Sequence, residues 1–165
     1  MEQQLYDVLG SLNIEYEKFE HEAFFTCAES EHFHAQHEGA HCKTLFLRNR
    51  KKTAYFLAVV MSDHRVDIKE LTKFLEVGQK LSFASPADLE HFLGVQPGSV
   101  TPLALIHPEA KGIKKLLVDR AIHDYPYVHF HPLRNTATLR IDTKDFFRFL
   151  ESIEIEMVEY GFGEV

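Results

Sequence analysis

Gly39-Ala40-His41-Cys42-Lys43-Thr44-Leu45-Phe46-Leu47-Arg48 is the stretch on which the fold turns. Alternate residues of an extended chain face opposite sides, so Leu45 and Leu47 take one face and Phe46 the other, which predicts a strand buried on both sides. Lys43 stands at the entrance to that strand. An ammonium group is strongly hydrated, so at the lip of a core it either snorkels to solvent or meets an anion. Gly39 permits a sharp turn just before it.

Outward from this strand, Thr53-Ala54-Tyr55-Phe56-Leu57-Ala58-Val59-Val60 reads as a second apolar strand, and the short polar link between them predicts a central antiparallel hairpin. Leu5, Val8, Leu9 and Leu12 recur at helical spacing, predicting a helix over 2–12 that Asn13 closes. An extended segment through Ile14, Tyr16 and Phe19 follows. Thr26 and Glu29 have capping-box spacing ahead of a polar, histidine-rich helix, and Asp67 with Glu70 repeats that spacing before Leu71, Phe74 and Leu75, in a helix that ends near Gly78. A brief strand is expected over 80–84. Ser85-Pro86-Ala87-Asp88 opens a helix that Gly94 stops, and residues 114–118 are expected to add a strand. Residues 127–131 and 136–141 alternate as a second hairpin, Asp142 and Asp145 begin a last helix, and 155–158 returns as an edge strand. The pattern predicts one α/β (mixed α+β) domain over residues 1–165, with a central mixed, largely antiparallel sheet flanked by helices.

Composition narrows the function. Of 165 residues 45% are hydrophobic, 14 of them Phe, enough for a core without covalent staples. Two cysteines, Cys27 and Cys42, lack a CxxC pairing and fit free thiols in a reducing cytoplasm. No apolar run is long enough to span a membrane, and the first residues lack the features of a secretory signal. A net charge of −7 argues against a protein that coats nucleic acid through general electrostatics, so neither DNA nor, for want of an apolar span, a membrane is expected as a partner. The one dense basic run, Arg48, Arg50, Lys51 and Lys52, reads either as a solvated turn or as a local contact for RNA.

Nucleophile templates are absent: no GxSxG, no phosphate-binding GxxxxGK[ST] and no GxGxxG. Cys42 beside Lys43 can be a thiolate or a half-buried strand residue. His32, His34, His37 and His41 lie close in sequence, but Gly39 interrupts the helix and no HExxH spacing is present, so a solvated helix is the simpler reading and no metal site is assigned. His131, before Pro132, ends a strand where a side chain can face a cleft at the sheet edge. Asn135, Thr136 and Thr138 can bond a ligand or cap their own turn. Gln96-Pro97-Gly98-Ser99-Val100-Thr101-Pro102 is a loop braced by two prolines, suited to holding backbone groups outward.

Taken together, Lys43-Thr44-Leu45-Phe46-Leu47-Arg48, Gly98-Ser99-Val100-Thr101-Pro102 and His131-Pro132-Leu133-Arg134-Asn135-Thr136-Ala137-Thr138 resemble the signature segments of the YbaK/ProX-type prolyl-tRNA editing domains, in order and spacing, from about residue 5 to 158. The likeness is greatest to the freestanding branch that deacylates Ala-tRNA(Pro). It implies a size-selective pocket for the aminoacyl end of mischarged tRNA(Pro), with no cofactor. Lys43, Gly98 and His131 take the catalytic positions. Thr44, Ser99, Val100, Thr101, Pro102, Asn135, Thr136 and Thr138 fall at the substrate, and Arg48, Arg50, Lys51 and Lys52 at the tRNA. Thr44 stands where the family usually has asparagine, so Cys-tRNA(Pro) is the competing substrate. A non-catalytic reader of the tRNA end, or a module docking on a synthetase, is the alternative class. A chain this acidic would bind tRNA weakly, with prolyl-tRNA synthetase or an elongation factor as helper.

Overall fold

In the computed structural model, which describes residues 1–24 and 27–164, the order of elements is α1 (Glu2–Ser11), β1 (Tyr16–Glu20), α2 (Cys27–Gln36), β2 (Ala40–Arg48), β3 (Tyr55–Met61), β4 (His64–Arg65), α3 (Ile68–Phe74), β5 (Ser82–Phe83), α4 (Pro86–Leu93), β6 (Lys115–Asp119), β7 (Tyr127–Phe130), β8 (Ala137–Asp142), α5 (Thr143–Ser152), β9 (Met157–Tyr160) and β10 (Gly163–Glu164). Three short 3₁₀ helices, Pro102–Ile106, Pro108–Gly112 and Arg120–Asp124, fill the connections around β6.

The main sheet runs β1-β8-β7-β2-β3-β6-β9, with β5 added beside β2, and β4 pairs with β10 in a separate ribbon. The hairpin β2–β3 is antiparallel over seven residue pairs and occupies the middle. All seven residues of β3 are buried, as its unbroken apolar run requires. Phe46, Leu57 and Val59 face one core with Leu5 and Leu9 of α1, Leu93 of α4 and Phe146 and Phe149 of α5. Leu47, Phe56 and Val60 face a second core with Leu71 of α3 and Phe162. Each fully buried Phe or Leu contributes about 2–3 kcal/mol relative to exposure, so this two-sided burial fixes the register of β2.

The helix starts form as their chemistry dictates. Ser85 and Asp88 complete a reciprocal capping box with Pro86 in the first turn, Gly94 ends α4 in the left-handed conformation, and the Asp67 and Asp142 carboxylates cap α3 and α5. The capping box expected at Thr26 and Glu29 lies outside the described residues. The 80–84 segment contributes only two strand residues, and the apolar run after Pro102 is a 3₁₀ helix capped by the Thr101 hydroxyl.

Two features differ from expectation and both concern the site. β2 begins at Ala40, so Lys43 lies inside the strand, because β7 pairs in parallel with Ala40 and His41, a partner almost ninety residues away in sequence. For the same reason His131 is not at the sheet edge. β7 is internal, between β8 and β2, and His131 follows its last residue where β7 and β2 separate. Beyond His41, β2 has no β7 partner, and β5 takes that side only at Leu47 and Arg48.

Candidate functional site

The split between β2 and β7 holds a cavity of about 220 Å³. Cys42, Lys43 and Thr44 form one wall, Phe130, His131 and Thr138 another, Val100 closes the side toward the proline-braced loop, and Phe24 and Phe33 face it from the segment around α2. Of the residues expected at the site, Lys43, Thr44, Val100, His131 and Thr138 therefore meet at one cavity. Gly98 stands behind it, where a Cβ would lie 3.7 Å from Asn135 Nδ2. Ser99 and Thr101 are buried in the loop itself, Pro102 is buried in the core, and the Thr136 hydroxyl accepts a hydrogen bond from Arg134.

The Lys43 ammonium donates to the carbonyl oxygens of His64, at 2.5 Å, and Ser62, at 3.4 Å. The snorkelling side chain thus ends on backbone oxygens that keep its position. Those carbonyls are in turn fixed by Asp119, 1% exposed, whose Oδ2 accepts from His64 Nδ1 at 2.7 Å and from the Met61 N–H at 3.0 Å, while its Oδ1 accepts from the Ala121 N–H. Nothing in the sequence links positions 43, 64 and 119. Their connection is made by the parallel pairing of β3 with β6.

His131 Nδ1 lies 2.8 Å from the Ala137 carbonyl, which can only accept, so Nδ1 carries the proton and Nε2 is the acceptor of the neutral ring. Burial pushes its pKa below the usual 6.5, outweighing the carbonyl. His21 donates from Nδ1 to the Glu22 carbonyl and so accepts at Nε2 from the Thr138 hydroxyl, 2.8 Å away. A second chain lies beneath: His41 Nε2 donates to the His37 carbonyl, and its Nδ1 therefore accepts from His129 Nδ1 at 2.9 Å. His37 stacks on Phe33 with ring centroids 4.0 Å apart and meets Phe19 edge-on. The α2 histidine region is thus not simply a solvated face, and among the described residues no three His, Cys, Asp or Glu side chains are placed to share a metal ion. His21, His41, His129, Phe24 and Phe33 are site residues that sequence reasoning missed, because strand pairing and aromatic stacking bring them in.

Cys42 is not an activated thiol. Burial first, then the Asp119 and Asp63 carboxylates, push its pKa upward, so it stays protonated.

The basic run is elsewhere. Arg50, Lys51 and Lys52 form the β2–β3 turn at the other end of the hairpin, seven residues beyond Lys43, about 23 Å at strand rise. Asn49 organises this turn by accepting from the N–H groups of Thr53 and Ala54. Arg48 pairs with Asp88 at 2.5 Å and is only one-fifth exposed, so it clamps α4 to β2 and is not offered to a ligand.

Two expectations follow from this geometry. Because the folded chain holds His131 below its unfolded pKa, the unfolded state binds more protons between the two values, so His131 costs stability as pH falls through about 6.5 toward the lowered value. Urea denaturation from pH 8 to 5 should show that loss reduced in His131→Asn. Gly98 has φ +89°, so Gly98→Ala is expected to cost about 1 kcal/mol in urea melts through backbone strain, since a methyl group there meets no severe contact.

Comparison with known proteins agrees with this architecture. The family model "Aminoacyl-tRNA editing domain" matches residues 21–149. The prolyl-tRNA synthetase associated domain-containing protein 1 of Bos taurus is 38% identical over 148 residues, covering 87% of this chain and 85% of its own. The prolyl-tRNA editing protein ProX of Acetoanaerobium sticklandii is 29% identical over 145 residues, covering 87% of each. Among solved structures, a candidate trans-editing enzyme for prolyl tRNA synthetase superposes with a TM-score of 0.71 at 19% identity, covering 99% of this chain and 97% of its own, and shows the same fold. The chain belongs to the aminoacyl-tRNA editing domain family.

Proposed function

We propose that the chain is a trans-editing deacylase, one editing domain acting in the cytoplasm, that hydrolyses the aminoacyl ester of mischarged Ala-tRNA(Pro). The observation that carries this reading is the cavity itself: an anchored ammonium, the His131 imidazole held below its usual pKa and, among the described residues, a thiol that stays protonated, around a small space. An aminoacyl ester is already activated, so its hydrolysis calls for a positioned water and a polarised carbonyl more than for a protein nucleophile.

In this reading the α-ammonium of the substrate donates to His131 Nε2 and the Thr138 oxygen, both acceptors by the hydrogen bonds assigned above. The N–H groups of Gly98 and Val100 bond no acceptor among the described residues, and Val100 lines the cavity, so this loop supplies donors to the carbonyl oxygen as it gains charge. Lys43 neutralises the terminal phosphate. Water adds to the carbonyl carbon, the bond to the ribose oxygen breaks, and the water's proton reaches that oxygen through the neighbouring ribose hydroxyl. Phe24, Phe33 and Val100 limit the side chain, so that a prolyl ring meets steric repulsion where a methyl group does not.

The test is ester loss from Ala-tRNA(Pro) and Cys-tRNA(Pro) side by side, with chelator present. Faster alanyl cleavage supports the assignment; faster cysteinyl cleavage moves it to the Cys-tRNA(Pro) branch; binding that protects both esters would make the chain a reader of the tRNA end. For the tRNA body, Arg50, Lys51 and Lys52 are proposed to touch acceptor-stem phosphates. An R50A/K51A/K52A variant should weaken tRNA binding at low salt and reduce the slope of log K against log salt by about 0.9 per lost contact. Unchanged affinity removes the turn from the interface. Prolyl-tRNA synthetase or an elongation factor would supply the rest of the affinity of so acidic a chain.

A further inference from the structure

A second cavity, of about 430 Å³, adjoins the first and shares its His41 and Ser62 walls. Gly39 and Met61 line it, Asp63 and Glu31 carry its charge, and Tyr125, a residue left 39% exposed, is also in its wall. Its volume lies in the range of about 300–1,000 Å³ typical of small-molecule sites. We infer that this cavity seats the terminal adenine nucleoside of the substrate, with the base stacked on Tyr125 and the ribose at the shared His41–Ser62 wall. The inference rests on the proposed editing function and assigns the place of the nucleotide that carries the ester.

Three observations fix the orientation. The two cavities have His41 and Ser62 in common, so an ester held at Lys43 and His131 in the first has its ribose within reach of that shared wall. Lys43 reaches the Ser62 carbonyl, which puts its ammonium beside the shared wall, where the 5′-phosphate of that nucleotide would lie. The Asp63 and Glu31 carboxylates repel phosphate from the second cavity but accept hydrogen bonds from an exocyclic amine or a ribose hydroxyl, so the base enters and the phosphate stays outside. Tyr125 is a prepared platform: its N–H donates to the Ile122 carbonyl, its own carbonyl accepts from the Thr143 hydroxyl at 2.7 Å, and Pro126 follows, so stacking orders little additional chain.

The experiment pairs adenosine 5′-monophosphate binding, followed by NMR titration of the whole protein, with deacylation kinetics for wild type, Tyr125→Ala and Tyr125→Phe. Stacking predicts that Tyr125→Ala weakens the nucleotide and raises KM for aminoacyl-tRNA by roughly tenfold with kcat nearly unchanged, and that Tyr125→Phe restores both. An alanine variant with wild-type nucleotide binding and KM, or a phenylalanine variant as weak as alanine, overturns the site. If wild type cleaves no ester while the nucleotide still binds in a Tyr125-dependent way, the site stands and the editing function falls. If the ester is cleaved with no dependence on Tyr125, the reverse holds.

Discussion

Lys43→Ala should lower kcat/KM for deacylation by about 100-fold or more while leaving the urea midpoint close to wild type. The ammonium ends on the Ser62 and His64 carbonyls, and Lys43 lines the cavity, so its removal takes charge from the site and little from the fold. Lys43→Arg should recover only part of the activity, because a planar guanidinium does not reproduce the compact geometry that places one charge between two carbonyls. Single-turnover assays on alanyl ester check both. A Lys43→Ala enzyme within a few fold of wild type would mean that the lysine serves the strand and not the reaction.

The largest loss of stability is expected at Asp119. Its carboxylate is 1% exposed and accepts from His64, Met61 and Ala121, so Asp119→Ala strands two buried donors and a half-buried third at once. Breaking a buried ionic or charge-assisted network in this way costs roughly 3–5 kcal/mol. At about 2–4 °C per kcal/mol for a chain of this size, calorimetry should show a midpoint lowered by roughly 10 °C. Asp119→Asn keeps one acceptor oxygen and should lose less. Both variants should also slow deacylation, because the β3–β4 turn that Asp119 holds is the turn whose carbonyls hold Lys43. A change under about 1 kcal/mol in Asp119→Ala would show that water replaces the carboxylate without cost and that the turn is held by other means.

The fold was legible where chemistry is local. The unbroken apolar run of β3, the Ser85-Pro86-Ala87-Asp88 helix start and the alternation of β7 and β8 each declare their state within a few residues. What stayed hidden depends on which strands become neighbours. The parallel pairs β2–β7 and β3–β6 place His129 against His41 and Asp119 against His64, and no spacing within the sequence encodes either meeting. Lys43, Thr44, Val100, His131 and Thr138, expected from their motifs, line one cavity, and Gly98 takes a left-handed φ in the loop that carries Val100. Arg48 was read with its basic neighbours, yet Asp88, the carboxylate it pairs with, lies forty residues away on α4. Cys42 beside Lys43 left a thiolate and a half-buried strand residue both open, and burial beside two carboxylates decides for the protonated thiol.

Size selection by this cavity is tested most directly by the rates at which the wild-type protein deacylates Ala-tRNA(Pro) and Pro-tRNA(Pro), each followed to completion under single-turnover conditions. The cavity walls predict rapid loss of the alanyl ester and survival of the prolyl ester over the same time. Equal cleavage of both, or cleavage of neither, would contradict the claim that this cavity is a size-selective editing site.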